Sequence, residues 1–273
     1  MTPLGDRQAA DRSPDGSVAA AFGWTIVRQS LARPYRVPGS MILLCALIPF
    51  YILIPSFLPP TTRHVPALAL DDVLPLVPSW AVVYGALYLF LILLPIVVVR
   101  EDALVRRMFA AYLSIWITAY LFFFLIYPTA APRPDRVSGA GFGLWGLRAL
   151  YSADPPYNCF PSLHVAHSFV SALACSRVHR RLGTVALLAA VLVALSTLFT
   201  KQHYVVDVVA GVALALAAYG LFLRQASPDQ VPELDRQVAP ALAVWVGGVV
   251  GLGVGVSWLV YVVGGETSFT FGP

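Results

Sequence analysis

Seven stretches of the chain are apolar with little interruption: residues 41–58, 79–99, 108–127, 163–178, 184–199, 204–223 and 241–263. A helix that crosses a bilayer needs about 20 mostly apolar residues, within a range of roughly 17–25. Five of the seven reach that range, and the fourth and fifth do so by extending into their polar flanks. Polar punctuation separates them: PPTTRH after the first, REDALVRR after the second, PTAAPRPDR after the third, HRRLG after the fourth, TKQH after the fifth and RQASPDQVPELDR after the sixth. The pattern predicts an all-α, polytopic membrane helical bundle. Ahead of it, Ala20, Trp24, Val27 and Leu31 form one stripe between Arg28 and Arg33, stopped by Pro34. That is a short amphipathic helix over 18–33, suited to lying on an anionic cytoplasmic leaflet or to packing beside the first span. Three regions follow: a cytoplasmic N-terminal segment (1–37), a membrane core (38–224), and a linker with a C-terminal seventh span (225–273).

Composition removes the competing classes. Of 273 residues, 58% are apolar and 12% charged. Soluble domains carry about 25% charge, and disordered chains are poor in apolar residues. The net charge of +4 arises from 18 basic residues scattered between the apolar runs, so it reads as membrane topology and not as a nucleic-acid surface. With the N-terminus inside, 13 of them fall on the cytoplasmic side and five outside (Arg63, Arg133, Arg136, Arg148 and Lys201). A plasma membrane location is expected. Residues 1–16 hold three aspartates and no apolar core, unlike a cleavable signal peptide. Cys45, Cys159 and Cys175 have no metal-binding or disulfide-framework spacing. Gly247, Gly251 and Gly255 form a ridge of small residues on the last span, fit for close helix packing or for a homodimer.

Ionisable groups at membrane depth are costly, so they point to function. Span parity sends three distant segments to one membrane surface: Arg133 in APRPDR, Ser162 and His164 in NCFPSLHVAH, and Lys201, His203 and Asp207 in TKQHYVVD. His203 and Asp207 are four apart, on one face of a helix. Asp207 can then hold one imidazole nitrogen and leave the other as nucleophile or base. Pro161 and Ser162 open a helix whose N-terminal amides suit a phosphate. His167, His179 and Cys159 read as packing, topogenic and loop residues. Two histidines and an aspartate also fit a metal triad, which leaves the cations unused. A proton-coupled transporter is a third class; it usually shows inverted repeats, and none is visible here.

The segments RP, PSLH and HYVVD resemble the signature motifs of the phosphatidic acid phosphatase type 2 superfamily, K-x6-R-P, P-S-G-H and S-R-x5-H-x3-D. Arg133 and Pro134 match the first, Pro161, Ser162 and His164 the second with Leu163 in place of Gly, and Ser196, His203 and Asp207 the third. The first motif's Lys falls at Ile126 and the third motif's Arg at Thr197. FPSLHV with TKQHYVVD is most similar to the branch containing inositol phosphorylceramide synthases.

The resemblance implies a six-helix core and a metal-independent reaction without cofactor. His203 would attack phosphorus, oriented by Asp207, to give a phosphohistidine. His164 would protonate the leaving alkoxide and then deprotonate water or an alcohol. Arg133, Lys201 and Ser162 would hold the phosphoryl oxygens. A membrane phospholipid or lipid phosphate is the implied substrate, with a lipid alcohol as an optional acceptor. The two lost cations favour a phosphodiester, hence headgroup transfer of the phosphoinositol type. Hydrolysis of phosphatidate or a polyprenyl diphosphate is the alternative.

Overall fold

A computed structural model describes residues 46–51, 63–154 and 156–265. The amphipathic helix expected over 18–33 lies outside the described residues, as does most of the first span, of which 46–51 are helical. The remaining chain forms α1 (Ala69–Val73), α2 (Trp80–Val98), α3 (Asp102–Leu121), α4 (Phe142–Ala153), α5 (Leu163–Val178), α6 (Arg180–Phe199), α7 (Val205–Ala218) and α8 (Glu233–Gly264). A π turn prolongs α3 through Phe122–Ile126, and another prolongs α7 through Tyr219–Leu223. Strands are absent among the described residues. Five helices are long and apolar enough to cross a membrane: α2, α3 and α7 with their π turns, α6 and α8. The protein is an all-α polytopic membrane bundle.

Caps set where these helices begin. The Glu101 carboxylate accepts from the amides of Ala103 (3.0 Å) and Leu104 (2.6 Å), so α3 starts six residues before the apolar run 108–127. Ser162 caps α5 through a bond from Val165 N–H at 3.3 Å. His179 caps α6, its Nδ1 accepting from Leu182 N–H at 3.1 Å, which gives this residue a structural part beyond topology. In α7 the carboxylate of Asp207 reaches back to Tyr204 N–H at 2.9 Å. His203 therefore precedes α7 instead of sharing a helical face with Asp207; the four-residue spacing works across a cap.

α5 is the hub. It packs against α2, α3, α6 and α7, and twelve of its 16 residues are buried. A helix buried on every side is what an apolar, weakly amphipathic sequence predicts. Two glycines permit the closest approaches. A Cβ on Gly183 would sit 2.3 Å from that of Ser176, where α5 turns into α6. On Gly211 it would sit 2.6 Å from the carbonyl oxygen of Ser162, where α7 crosses the start of α5. α8 continues well before the apolar run 241–263, and it lies along α2 and α4. The glycine ridge does not serve packing within the described chain: no heavy atom lies within 4 Å of a Cβ built on Gly247, Gly251 or Gly255.

Candidate active site

The segments 129–133, 156–164 and 197–207, with Asp154, converge at one end of the bundle, over the start of α5. Chain reversal after α6 is tight: the amides of Gln202 (2.9 Å) and His203 (3.3 Å) both donate to Thr197 O, and Lys201 adopts a left-handed backbone with φ of 55°. That turn sets His203 beside two partners. Its Nδ1 lies 3.5 Å from Asp207 Oδ2, and its Nε2 lies 3.4 Å from His164 Nδ1. Ser162 N–H donates to the Asp207 carbonyl at 3.0 Å, pinning α5 to α7 at the same point. His164, His203, Asp207 and Ser162 are all buried.

Arg133 joins this group from the loop after α3. Its guanidinium donates to the carbonyls of Tyr151 (3.1 Å) and Asp154 (2.9 Å) and to the Gln202 side chain, and it stacks on the Tyr151 ring at 4.6 Å. The Asp154 carboxylate is 3.6 Å from it. Arg133 is thus tied to the residue next to His203 and to the end of α4. Lys201 is held differently: its Nζ donates to the Asp71 carbonyl at 2.9 Å. The Ser162 hydroxyl accepts from Val165 N–H, so it serves first as a helix cap. At the two positions where the family pattern carries cations, Ile126 is exposed and Thr197 is fully buried.

Around His164 lies a pocket of about 280 Å³, lined also by Tyr51, Tyr84, Tyr88, Trp116 and Asp154. The rings of Tyr51, Tyr84 and Tyr88 all meet the imidazole edge-on, at 6.1, 5.4 and 4.9 Å. Tyr51 OH donates to Asp154 at 2.7 Å. The buried Tyr84 hydroxyl and Trp116 indole N–H find no hydrogen-bond partner among the described residues. His167, one turn beyond His164, stacks face to face on Tyr112 at 4.5 Å and is buried, as its packing reading expected.

Sequence reasoning missed three contributors, Asp71, Gln202 and Cys159. Asp71 is buried and accepts from Val205 N–H (2.8 Å) and Leu68 N–H (2.8 Å), so the short helix α1, far upstream, anchors the start of α7. Gln202 and Asp154 bracket Arg133. Cys159, read as a plain loop residue, is buried with its Sγ within 4.8 Å of ligand atoms of His203 and Asp207. Those three could hold a metal ion. Burial, with the charges of Asp207 and Asp154, pushes the Cys159 thiol well above its ordinary range, so a metal would have to displace a tightly held proton. Of these, only a loop cysteine and a scatter of carboxylates were visible in the one-dimensional pattern.

A family model described as PAP2 superfamily matches residues 61–221. A PA-phosphatase related-family protein of Dictyostelium discoideum is 30% identical over 115 residues, covering 37% of this chain and 21% of that protein. The chain thus aligns to about a fifth of its curated relative's length. No solved structure matches it significantly.

Proposed function

This chain belongs to the PAP2 superfamily, its family match covering more than half of its length, and from that premise we propose that it is an integral membrane lipid phosphatase or phosphotransferase working through a phosphohistidine. The observation that carries the reading is His203, buried between the Asp207 carboxylate on one ring nitrogen and His164 on the other. The Asp207 carboxylate, 3.5 Å from Nδ1, favours the tautomer protonated there, and Nε2 then carries the lone pair, the arrangement a nitrogen nucleophile needs.

The chemistry balances in two steps. The His203 Nε2 lone pair forms a bond to phosphorus as the bond to the leaving alkoxide breaks, and protonated His164 delivers its proton to that oxygen. Water or an alcohol then gives its proton to neutral His164, its oxygen attacks phosphorus, and the bond to His203 breaks. Both transfers use one histidine in turn as acid and base. A phosphorus atom does not fit between nitrogens 3.4 Å apart, so substrate has to part the two rings. Arg133 is the cation placed at the site by several bonds, and its role is to stabilise the phosphoryl oxygens. Lys201 and the amides that open α5 add positive potential.

The same reading favours headgroup transfer over release of phosphate. Ile126 and Thr197 replace two cations that would balance a dianionic monoester, and a bridging phosphodiester carries one charge. Tyr84 OH and Trp116 N–H offer unpaired donors to a polar headgroup in the pocket beside His164. A polyol such as inositol suits them, with a lipid alcohol as acceptor. The deciding experiment incubates the reconstituted protein with phosphate-labelled phosphatidylinositol or phosphatidate, with and without ceramide or diacylglycerol. An acid-labile, base-stable phosphoenzyme is expected from a productive substrate, and label should pass to the added alcohol. Inorganic phosphate released at the same rate whatever alcohol is present would assign plain hydrolysis instead. A phosphoenzyme that persists in His203→Ala would overturn the nucleophile.

A further inference from the structure

A second cavity of about 630 Å³ lies between the first half of α2, α4 and the second half of α8. Small, aliphatic and aromatic residues line it, among them Gly85, Gly146, Ala149, Gly253, Val260 and Trp145. Its depth comes from missing side chains: a Cβ on Gly85 or Gly253 would meet no heavy atom within 4 Å. Tyr84, Leu150 and Ala153 line both this groove and the pocket that contains His164, so the two meet there. At the loop end, Tyr261 packs against Phe142 and Trp145 with ring centroids 5.7 and 6.0 Å away, fastening α8 to α4.

Length fits as well as adjacency. Lining residues run from Ala81 to Leu89 on α2 and from Val250 to Val260 on α8, about 12–15 Å at 1.5 Å per residue. Half of a bilayer's hydrocarbon core is about 15 Å. The groove starts beside the site and matches the depth of one leaflet in length. α8 lies outside the family match at 61–221, so the outer wall of this groove comes from beyond the matched stretch.

We propose that this groove holds one acyl chain of the lipid whose phosphorylated head occupies the His164 pocket. The proposal rests on the reading of that site as one acting on lipid phosphates. The driving force is positional. An acyl chain leaving surrounding lipid gains no hydrophobic free energy, so the groove acts by shape, guiding the tail past Tyr84 so that the head arrives at His164. Filling the groove should exclude the tail.

The test uses the full chain in liposomes containing a phosphatidate with a diazirine midway along one acyl chain. Crosslinks should concentrate on 81–89 of α2 and 250–260 of α8. In Gly253→Leu they should fall at least tenfold, whereas Gly248→Leu, which changes α8 outside the groove, should keep them. Crosslinks spread evenly over the exposed faces of α8, or unchanged in Gly253→Leu, would overturn the proposal; should that variant fail to fold, the map of the unaltered chain decides by itself. Turnover is read on the same samples. Crosslinks in the groove without turnover of any phospholipid overturn the functional reading alone, and turnover with crosslinks elsewhere overturns the groove alone.

Discussion

At the scale of single residues, the site separates groups that bond chemistry would need from groups that merely hold them. His203→Ala should abolish turnover, and His164→Ala should slow it by about 10²–10⁴-fold, the usual worth of a general acid–base; steady-state rates on one lipid substrate check both. Asp71 makes the contrasting case. Its carboxylate accepts two backbone amides, one of them at the start of α7. Removing a partner from a buried donor costs roughly 1–3 kcal/mol, so Asp71→Ala should lower thermal stability and activity together, whereas His203→Ala should lower activity only. A stable, inactive Asp71→Ala would contradict this division. Metal dependence is decided at the same scale. The high-lying Cys159 thiol beside His203 and Asp207 leads us to expect that chelators leave turnover unchanged and that Cys159→Ala retains it. Loss of activity in chelator, restored by zinc, would make those three residues a metal site.

At the scale of elements, apolar run length was enough to read α2, α6, α7 and the end of α3 to within a few residues, because nothing but a helix satisfies its own backbone in lipid. The start of α3 was less legible, since a Glu101 cap recruits polar residues into the helix. The loop after α3 hid α4, whose Trp145 and Leu147 are buried against neighbours that no local pattern announces. Likewise the motif residues were visible, but the contacts that aim them were not: Asp71, Gln202 and Asp154 come from three segments brought together only by folding. Gly211 is the sharpest instance. It looks like any glycine in a membrane helix, yet a methyl group there would sit 2.6 Å from the Ser162 carbonyl. Overpacking of this kind costs typically 1–3 kcal/mol. Gly211→Ala should push α7 off α5 and separate His203 from His164, cutting kcat more than it raises KM. His179→Ala, at the other end of α5, should cost about 1 kcal/mol through its lost helix cap and leave kcat unchanged. Thermal unfolding and kinetics on the two variants together test whether the active end and the structural end are distinct.

For the whole molecule, the question is which side of the membrane the site serves. All the candidate site residues lie at the end of the bundle formed by the loops after α3 and α6, while the connections between α2 and α3, between α5 and α6, and between α7 and α8 lie at the other end. At that end lie Arg100 and Arg224 in the connections, with Arg106, Arg107, Arg180 and Arg181 near the starts of α3 and α6, and the cytoplasmic side is the one enriched in Arg and Lys. We therefore propose that the site opens outside the cytoplasm, where it would act on lipids of the outer leaflet. In a background with Cys45, Cys159 and Cys175 replaced by Ala, single Arg136→Cys and Arg180→Cys substitutions place thiols at exposed positions of opposite ends. An impermeant maleimide added to intact cells should label the first and spare the second until the cells are permeabilised. The opposite labelling would put the site in the cytoplasm, and its substrate would then have to be drawn from the inner leaflet.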